Sequence, residues 1–244
     1  SHRSIEMIYT IAEIADIHFG CNTQMTSRLY KELEEEFIGT LKQEKPDIIA
    51  ICGDMFDQKL MFTTFESQLS NKFIHVLRTE FPNALIILVK GTRSHDLNQL
   101  DNFKGYVDNN FRIYNEVTED YYNDFRFLVI PEEYYPDKSV YGKYLNTNEK
   151  YDWVFFHGMF SYALNANNRF NKITFTVEDF KNCVFGKVVG GHIHDPVESG
   201  NVQYCGSFER WKHGENLTKG FRIHKGSKKT LYLSWWWCCK IWCW

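Results

Sequence analysis

The fold prediction rests on Asp47-Ile48-Ile49-Ala50-Ile51-Cys52-Gly53-Asp54, a short apolar run that ends in a glycine and a carboxylate. Its apolar residues and its content of isoleucine predict a β-strand, and Gly53 permits a tight exit from it. Similar runs lie at 7–15 and 84–89, and two stretches with helical spacing of apolar residues, 27–43 and 62–80, separate the three runs. This βαβαβ order predicts parallel strands.

The second half of the chain predicts a different arrangement of strands. Three further strands are predicted at 125–130, 153–157 and 184–189. Closely spaced strands follow at 202–205 and 220–224, and Gly200 and Gly206 interrupt this region. The back half is therefore expected to add antiparallel or mixed sheet.

Composition is that of an ordinary globular protein. Hydrophobic residues make up 43% of the 244 residues and charged residues 24%, which suits one large domain with a buried core. We assign this domain to residues 1–225. The net charge of -3 offers no general basic surface to attract nucleic acid. The chain shows no apolar leader and no apolar run long enough to cross a bilayer, which predicts a cytoplasmic protein with no membrane partner.

The last residues, 226–244, differ from the rest of the chain. Five of the seven tryptophans and three of the seven cysteines lie in residues 235–244. No packed element is predicted from this composition, so we assign no domain to 226–244 and interpret the segment as a truncated or non-native end. The alternative is a membrane-interface anchor, but Lys240 is the only basic residue among these aromatics.

Two acidic motifs follow the first two predicted strands. Asp16 and His18 are one residue apart, so a carboxylate and an imidazole that leave a strand can turn towards one cation. Asp54 could bridge two cations, and Asp57 could support the site from behind the ligands. Taken singly, the first pattern also arises by chance, and the second also fits the cap of a helix.

A third motif, Gly91-Thr92-Arg93-Ser94-His95-Asp96, follows the strand predicted at 84–89. An arginine, a histidine and a carboxylate at a strand end suit phosphoryl chemistry. Arg93 would hold phosphate oxygens, His95 would protonate a leaving alkoxide, and Asp96 would orient the imidazole. The alternative is a solvated turn in which Gly91 is the hinge.

Histidines complete the set of candidate residues. His157 ends the strand predicted at 153–157, and Gly190-Gly191-His192-Ile193-His194 follows the next strand. Two histidines one residue apart, after glycines that let the backbone bend, are a common metal-binding arrangement. Alone, His157 would be interpreted as a buried core histidine. Because five of the nine histidines lie in these motifs, we predict two divalent cations, and the mixed donors favour manganese, iron or zinc over calcium.

In this order the motifs resemble the calcineurin-like metallophosphoesterase superfamily. The resemblance implies an α/β fold of two mixed β-sheets packed face to face and flanked by helices, in four α/β/β/α layers. It also implies how the ligands divide between two metals. One metal would be held by Asp16, His18 and His194, the other would be held by His157 and His192, and Asp54 would bridge them.

A further segment, Tyr204–Phe221, resembles the SbcD-type DNA repair nucleases. The matching residues are Tyr204, Gly206-Ser207, Arg210, Gly214-Glu215 and Lys219-Gly220-Phe221. This resemblance implies a manganese-dependent exonuclease and endonuclease of DNA, with an SMC-like ABC ATPase of the SbcC type as partner. A homodimer is considered as well.

One motif departs from the family pattern, which reads Gly-Asn-His-Asp. Aligned on His95 and Asp96, the chain has Ser94 where the family has its asparagine ligand. A serine hydroxyl is a weaker neutral donor than an amide carbonyl, so Ser94 is predicted to bind the second metal weakly. The variant is similar to phage-encoded relatives, which predicts a phage recombination nuclease that works in the cytoplasm of a bacterial host.

The predicted function is hydrolysis of DNA phosphodiesters by in-line attack of a metal-activated hydroxide. Two alternatives stay open. The same site suits a phosphatase or a small-nucleotide phosphodiesterase, and substrate profiling would separate these activities. Ser94 and the short C-terminal region also suit a catalytically weakened structural subunit, which metal analysis would reveal.

Overall fold

Two six-stranded β-sheets organise the residues that the computed structural model describes, which are 9–21, 23–132, 138–160, 174–211, 214–215, 218–225 and 228–233. In chain order the strands are β1 (Thr10–Ile14), β2 (Ile48–Cys52), β3 (Leu85–Val89), β4 (Phe111–Tyr114), β5 (Thr118–Tyr122), β6 (Phe125–Ile130), β7 (Trp153–His157), β8 (Met159–Phe160), β9 (Thr174–Phe175), β10 (Val188–Gly191), β11 (Val197–Ser199), β12 (Val202–Tyr204), β13 (Gly220–Lys225) and β14 (Lys228–Leu233).

Helices connect many of these strands. The first, α1 (Thr23–Glu32), continues through a π-helical turn (Leu33–Ile38) into α2 (Gly39–Glu44). The others are α3 (Phe65–Glu80), α4 (Arg93–Asp96), α5 (Gly142–Leu145) and α6 (Val177–Phe180), with 3-10 helices at Gln99–Tyr106 and Lys138–Tyr141. The two helical stretches predicted at 27–43 and 62–80 thus correspond to the α1–α2 helix and to α3.

Capping explains where α3 begins. The Thr64 side chain accepts a hydrogen bond from the backbone N–H of Ser67 at 3.3 Å, which satisfies one of the free N–H groups of the first turn. The helix therefore begins after Thr64, three residues later than predicted. Its apolar face, which includes Phe73, Ile74 and Leu77, packs on the first sheet.

Both sheets are mixed. The first has the strand order β14-β13-β1-β2-β3-β4, in which β1 to β4 are parallel and β13 runs antiparallel to β1. The second has the order β11-β12-β10-β7-β6-β5, with a parallel centre and antiparallel edge strands. The prediction of a parallel first half and a mixed second half is confirmed.

Three buried hydrophobic clusters fill the interfaces between four layers, which are helices, the first sheet, the second sheet and helices again. Between the sheets, Ile48 and Leu85 belong to the same buried cluster as Phe127, Trp153 and Phe155. On the outer face of the first sheet lie α1 and α3, and on the outer face of the second lie α6 and the 3-10 helix Lys138–Tyr141. The predicted α/β sandwich of two face-to-face sheets with flanking helices is confirmed.

The strand predicted at 184–189 is displaced. The observed strand, β10, begins at Val188 and includes Gly190 and Gly191, which pair with the last two residues of β7. A side chain at Gly190 would collide with the neighbouring strand, since its Cβ would lie 2.7 Å from ring atoms of Phe156. The prediction treated both glycines as the exit from the strand, whereas close packing requires them inside it.

Part of the C-terminal segment 226–244 belongs to the first sheet. Residues Lys228–Leu233 form β14, which pairs antiparallel with β13 along its whole length. The interpretation of 235–244 as a non-native end concerns residues outside the described ranges and stays a prediction. None of the helices within the described residues combines the length and the apolar character that crossing a bilayer requires.

Candidate metal centre

The predicted ligands meet where strands of both sheets end. His157 is the last residue of β7, and His192 follows β10 directly. The backbone N–H of His192 donates a hydrogen bond to Asp16 Oδ2 at 3.1 Å, which joins the second sheet to the end of β1. The backbone N–H of Asp16 donates to the carbonyl of Gly53 at 3.0 Å. Together with the pairing of β7 and β10, these bonds bring four separate segments of the sequence to one edge of the sandwich.

Backbone strain is concentrated at the same residues. Among the described residues, seven non-glycine residues have positive φ, and four of them are predicted ligands: Asp16 (51°), His18 (56°), Asp54 (49°) and His192 (108°). Such conformations cost roughly 1–3 kcal/mol each and cluster at functional sites, where the surrounding structure imposes them. The chain is thus bent away from its preferred backbone conformations to direct these four side chains.

The first group of ligand atoms comes from Asp16, His18 and His194. One ligand atom of each lies within 4.8 Å of the others, and the two imidazole Nε2 atoms are 3.2 Å apart. With bonds of about 2.1 Å to a shared cation, this separation subtends about 100°, which suits tetrahedral and octahedral sites. The Nδ1 of His18 lies 3.1 Å from the carboxylate of Asp57, in the supporting position predicted for Asp57.

The second group of ligand atoms comes from Asp54, His157 and His192, again within 4.8 Å of one another. His157 is buried, and its Nδ1–H donates to the carbonyl of Cys52 at 2.8 Å. That bond leaves Nε2 as the nitrogen that faces the group, 3.3 Å from Asp54 Oδ1. A histidine ligand held through its other ring nitrogen by a carbonyl is typical of metal sites.

Asp54 lies between the two groups. Its Oδ1 faces His157, and its Oδ2 lies 4.0 Å from Nε2 of His18, so its two oxygens face different groups, as a bridging ligand requires. Burial raises the pKa of Asp54, but the imidazoles of His157 and His18 outweigh burial and hold the pKa below its ordinary value. The carboxylate form is therefore favoured at this position.

Asp96 was predicted to orient the imidazole of His95, but in the structure it binds backbone N–H groups instead. Its side chain is completely buried and accepts hydrogen bonds from the backbone N–H groups of Gly91 (2.6 Å), Asp54 (3.1 Å) and Phe56 (3.1 Å). Burial, reinforced by the charge of Asp54, raises the pKa of Asp96 to about 7. Asp96 thus ties the loop after β3 to the loop after β2 and fixes the position of Asp54.

His95 lies at the edge of the first group. Its ring packs edge-on against the ring of His18, with 5.0 Å between centroids, and 29% of its side chain is exposed. Its Nδ1 contacts the backbone carbonyl of Asp57, which leaves Nε2 for proton exchange with a ligand. Arg93 is exposed on the same short helix, α4. The catalytic roles of His95 and Arg93 stay predictions.

The structure places Thr92, and not Ser94, at the second group. Ser94 is exposed, whereas the Thr92 hydroxyl lies 3.1 Å from Asp54 Oδ2, 3.4 Å from Nε2 of His157 and 3.5 Å from Nδ1 of His192. The backbone N–H of Thr92 also donates to Asp54 Oδ1 at 2.5 Å. Aligning the motif on its histidine misplaced the position, because the short helix α4 turns Ser94 away.

Glu132 also lies at the second group, and the sequence prediction missed it. Its Oε2 is 3.0 Å from Nδ1 of His192 and 3.5 Å from Nε2 of His157. Glu132 follows the correctly predicted strand β6 after a single proline. A carboxylate just past a strand end is the same signal that identified Asp16 and Asp54, so the sequence contained the information.

The segment Tyr204–Phe221 supports a ligand of the first group. Nδ1 of His194 lies 2.7 Å from Glu215 Oε1, and the other oxygen of Glu215 is 3.2 Å from the ammonium of Lys219 and 3.0 Å from the backbone N–H of Trp211. Burial raises the pKa of Glu215, but these partners lower it to about 2. Glu215 therefore holds the His194 ring in a defined orientation.

The donors of the two groups fit a pair of divalent cations. Asp16 and Asp54 are both buried, with 0% and 3% exposure. Burial raises the pKa of Asp16 well above its usual value, and the charge of Asp54 acts in the same direction. Cations between such carboxylates would offset their desolvation and mutual repulsion. Mixed imidazole and carboxylate donors suit manganese, iron or zinc better than calcium.

The four-layer sandwich gathers aspartates and histidines at its strand ends, an arrangement suited to binding divalent cations. A family model described as calcineurin-like phosphoesterase matches residues 9–225, and the chain belongs to this family. Among solved structures the chain is similar to YfcE, a phosphoesterase from E. coli, with 16% identity over 92% of this chain and 93% of that chain and a TM-score of 0.46. A comparison with curated protein sequences found no match.

Proposed function

We propose that the protein is a dinuclear metal-dependent phosphodiesterase that acts on DNA. The observation that carries the proposal is the position of Asp54, whose two oxygens face two separate groups of ligands. Two bound cations, manganese in this proposal, would polarise phosphate oxygens and supply nucleophilic water at neutral pH.

Side chains around the two groups would act on the substrate directly. His95 is partly exposed beside the first group and would donate a proton to the leaving sugar oxygen through Nε2. The carbonyl of Asp57 holds Nδ1 of this ring, so that Nε2 keeps one direction. The exposed guanidinium of Arg93 would pair with a phosphate oxygen.

Two features support DNA as the substrate. The segment that resembles DNA repair nucleases, Tyr204–Phe221, contacts the site through Glu215 and His194. The loop that follows Asp57 carries Met61 and Phe62, which are 74% and 66% exposed. Exposed aromatic side chains provide surfaces on which unpaired bases stack, and Phe62 lies five residues after Asp57, whose carboxylate contacts His18.

Cleavage assays with Mn²⁺ on labelled single-stranded and duplex DNA test the proposal. Bis(p-nitrophenyl) phosphate and mononucleotides serve as small substrates. We expect DNA cleavage that Asp54→Asn abolishes. Phe62→Ala should lose several-fold activity on single-stranded DNA and keep its activity on the small ester, whereas Phe185→Ala, which removes an equally exposed ring (60%), should lose neither. Hydrolysis of small esters without DNA cleavage would refute the proposal.

The partners proposed from the same resemblance are an SMC-like ABC ATPase and a second copy of the chain. Both belong with the proposal of a recombination nuclease in the bacterial cytoplasm. Co-purification with a co-expressed SMC-like ABC ATPase, and light scattering of the purified protein, test the two assemblies separately.

A further inference from the structure

Glu132 directs its carboxylate at the second group of ligands. The side chain is 5% exposed. Its Oε2 lies 3.0 Å from Nδ1 of His192 and 3.5 Å from Nε2 of His157, and it accepts a hydrogen bond from the Thr92 hydroxyl at 3.0 Å. Bonds of about 2.1 Å to one cation would make these separations subtend roughly 90–115°, the range expected between neighbouring ligands.

The hydrogen bonding of His157 distinguishes a ligand from a supporting residue. A carboxylate that only orients a histidine ligand contacts the ring nitrogen that faces away from the metal. In His157 that nitrogen is Nδ1, and the carbonyl of Cys52 already occupies it at 2.8 Å. Glu132 approaches Nε2 instead, on the same side as Asp54 Oδ1 at 3.3 Å. Glu132 therefore shares the face that a cation would occupy.

The backbone also places Glu132 at this point. Its N–H donates to the carbonyl of Lys90 at 3.2 Å, which ties the exit of β6 to the exit of β3. Thr92 follows two residues after Lys90, and its hydroxyl contacts both Glu132 and Asp54. The loop after β3 and the loop after β6 thus deliver one hydroxyl and one carboxylate to the same group.

We propose that Glu132 is a direct carboxylate ligand of the second cation, an inference that rests on the proposed two-metal site. The two-metal centre would then contain three carboxylate ligands, Asp16, Asp54 and Glu132. A neutral oxygen donor in this place would leave two bound divalent cations with an excess charge of two, and Glu132 reduces that excess to one. The second cation is consequently bound tightly, in contrast to the weak binding expected from a serine ligand.

Calorimetric and electron paramagnetic resonance titrations of the chelator-treated protein with Mn²⁺ alone test this role without any substrate. We expect the wild-type protein to bind two Mn²⁺. Glu132→Gln preserves the size of the side chain and removes its charge, and we expect it to bind the second Mn²⁺ more than about 100-fold more weakly. Loss of a residue that only orients a ligand weakens binding about 10–100-fold. Glu178→Gln, at a carboxylate that is 73% exposed, is the matched control and should bind as wild type.

Three outcomes would overturn the inference: binding of fewer than two Mn²⁺ by the wild-type protein, wild-type affinity of Glu132→Gln at both positions, or a loss of less than 100-fold with both cations still bound. Glu132→Asp is the second variant if Glu132→Gln does not fold. It keeps the charge but retracts the carboxylate by one methylene, and it should bind the second Mn²⁺ with intermediate affinity. The two proposals fail separately, because a wild-type protein that binds two Mn²⁺ without cleaving DNA refutes the DNA activity alone.

Discussion

Replacing Gly91 by alanine should disturb the bridging position of the metal centre without replacing any of the predicted ligands. The added Cβ would lie 2.9 Å from the carbonyl carbon of Gly53 and closer still to the backbone nitrogen and a carboxylate oxygen of Asp54. These atoms cannot move away easily, since the Asp54 N–H is bonded to the buried Asp96 and its carboxylate to the backbone N–H of Thr92.

The expected size of the effect follows from this contact. Overpacking of a well-packed interior costs about 1–3 kcal/mol, and in a chain of this length each kcal/mol lowers the melting temperature by roughly 2–4 °C. Gly91→Ala should therefore melt about 2–12 °C below wild type in the presence of a chelator. A displaced Asp54 should also weaken Mn²⁺ binding by at least the roughly 10–100-fold that misplaced ligands cost.

The assay compares melting temperature in chelator and Mn²⁺ affinity by calorimetry for Gly91→Ala and Gly105→Ala. A Cβ at Gly105 meets no atom within 4 Å, so the control should behave as wild type or gain slightly in stability. If Gly91→Ala matched the control in both measurements, the close approach of the β2 and β3 loops would be wrong, and with it the position assigned to Asp54.

Three further predictions concern the surroundings of the site. His95→Ala should bind Mn²⁺ as wild type and lose about 10²–10⁴-fold in turnover, and cleavage at the wild-type rate would contradict its role as an acid. Glu215→Gln should weaken Mn²⁺ binding about 10–100-fold because His194 loses its charged partner, and an unchanged calorimetric affinity would contradict this. Burial raises the pKa of Asp179, but its partners, Lys138 foremost, lower it below the ordinary value. The stabilisation that the Asp179 carboxylate gives the folded protein is therefore complete above the ordinary pKa and is lost as the pH falls through the lower pKa of the folded state. Asp179→Asn should therefore lower the free energy of unfolding measured with urea at pH 7 by up to about 1 kcal/mol, and this difference should shrink as the pH falls below the ordinary pKa of an aspartate. A pH-independent difference would rule out the charge as its cause.

Local sequence was sufficient for much of the fold because strands and helices depend on near neighbours. The apolar runs predict β6 and β7 with their observed bounds, and α3 ends at Glu80 as predicted. The strand β10 was predicted with other bounds, and β14 was not predicted at all. The strand β10 contains Gly190 and Gly191, whose place inside a strand depends on how closely β7 approaches, and that distance is a property of the packed sheet.

The sequence by itself determined which residue types gather at the strand ends and in which order, and this was enough to predict Asp16, His18, Asp54, His157, His192 and His194 as one site. Only the tertiary structure decided which side chains of each loop reach it. Thr92 enters and Ser94 turns away, and Asp96 binds backbone in place of His95. The reason is physical: side-chain direction depends on backbone turns at positive φ and on contacts between the two sheets, and neither is encoded in residue spacing.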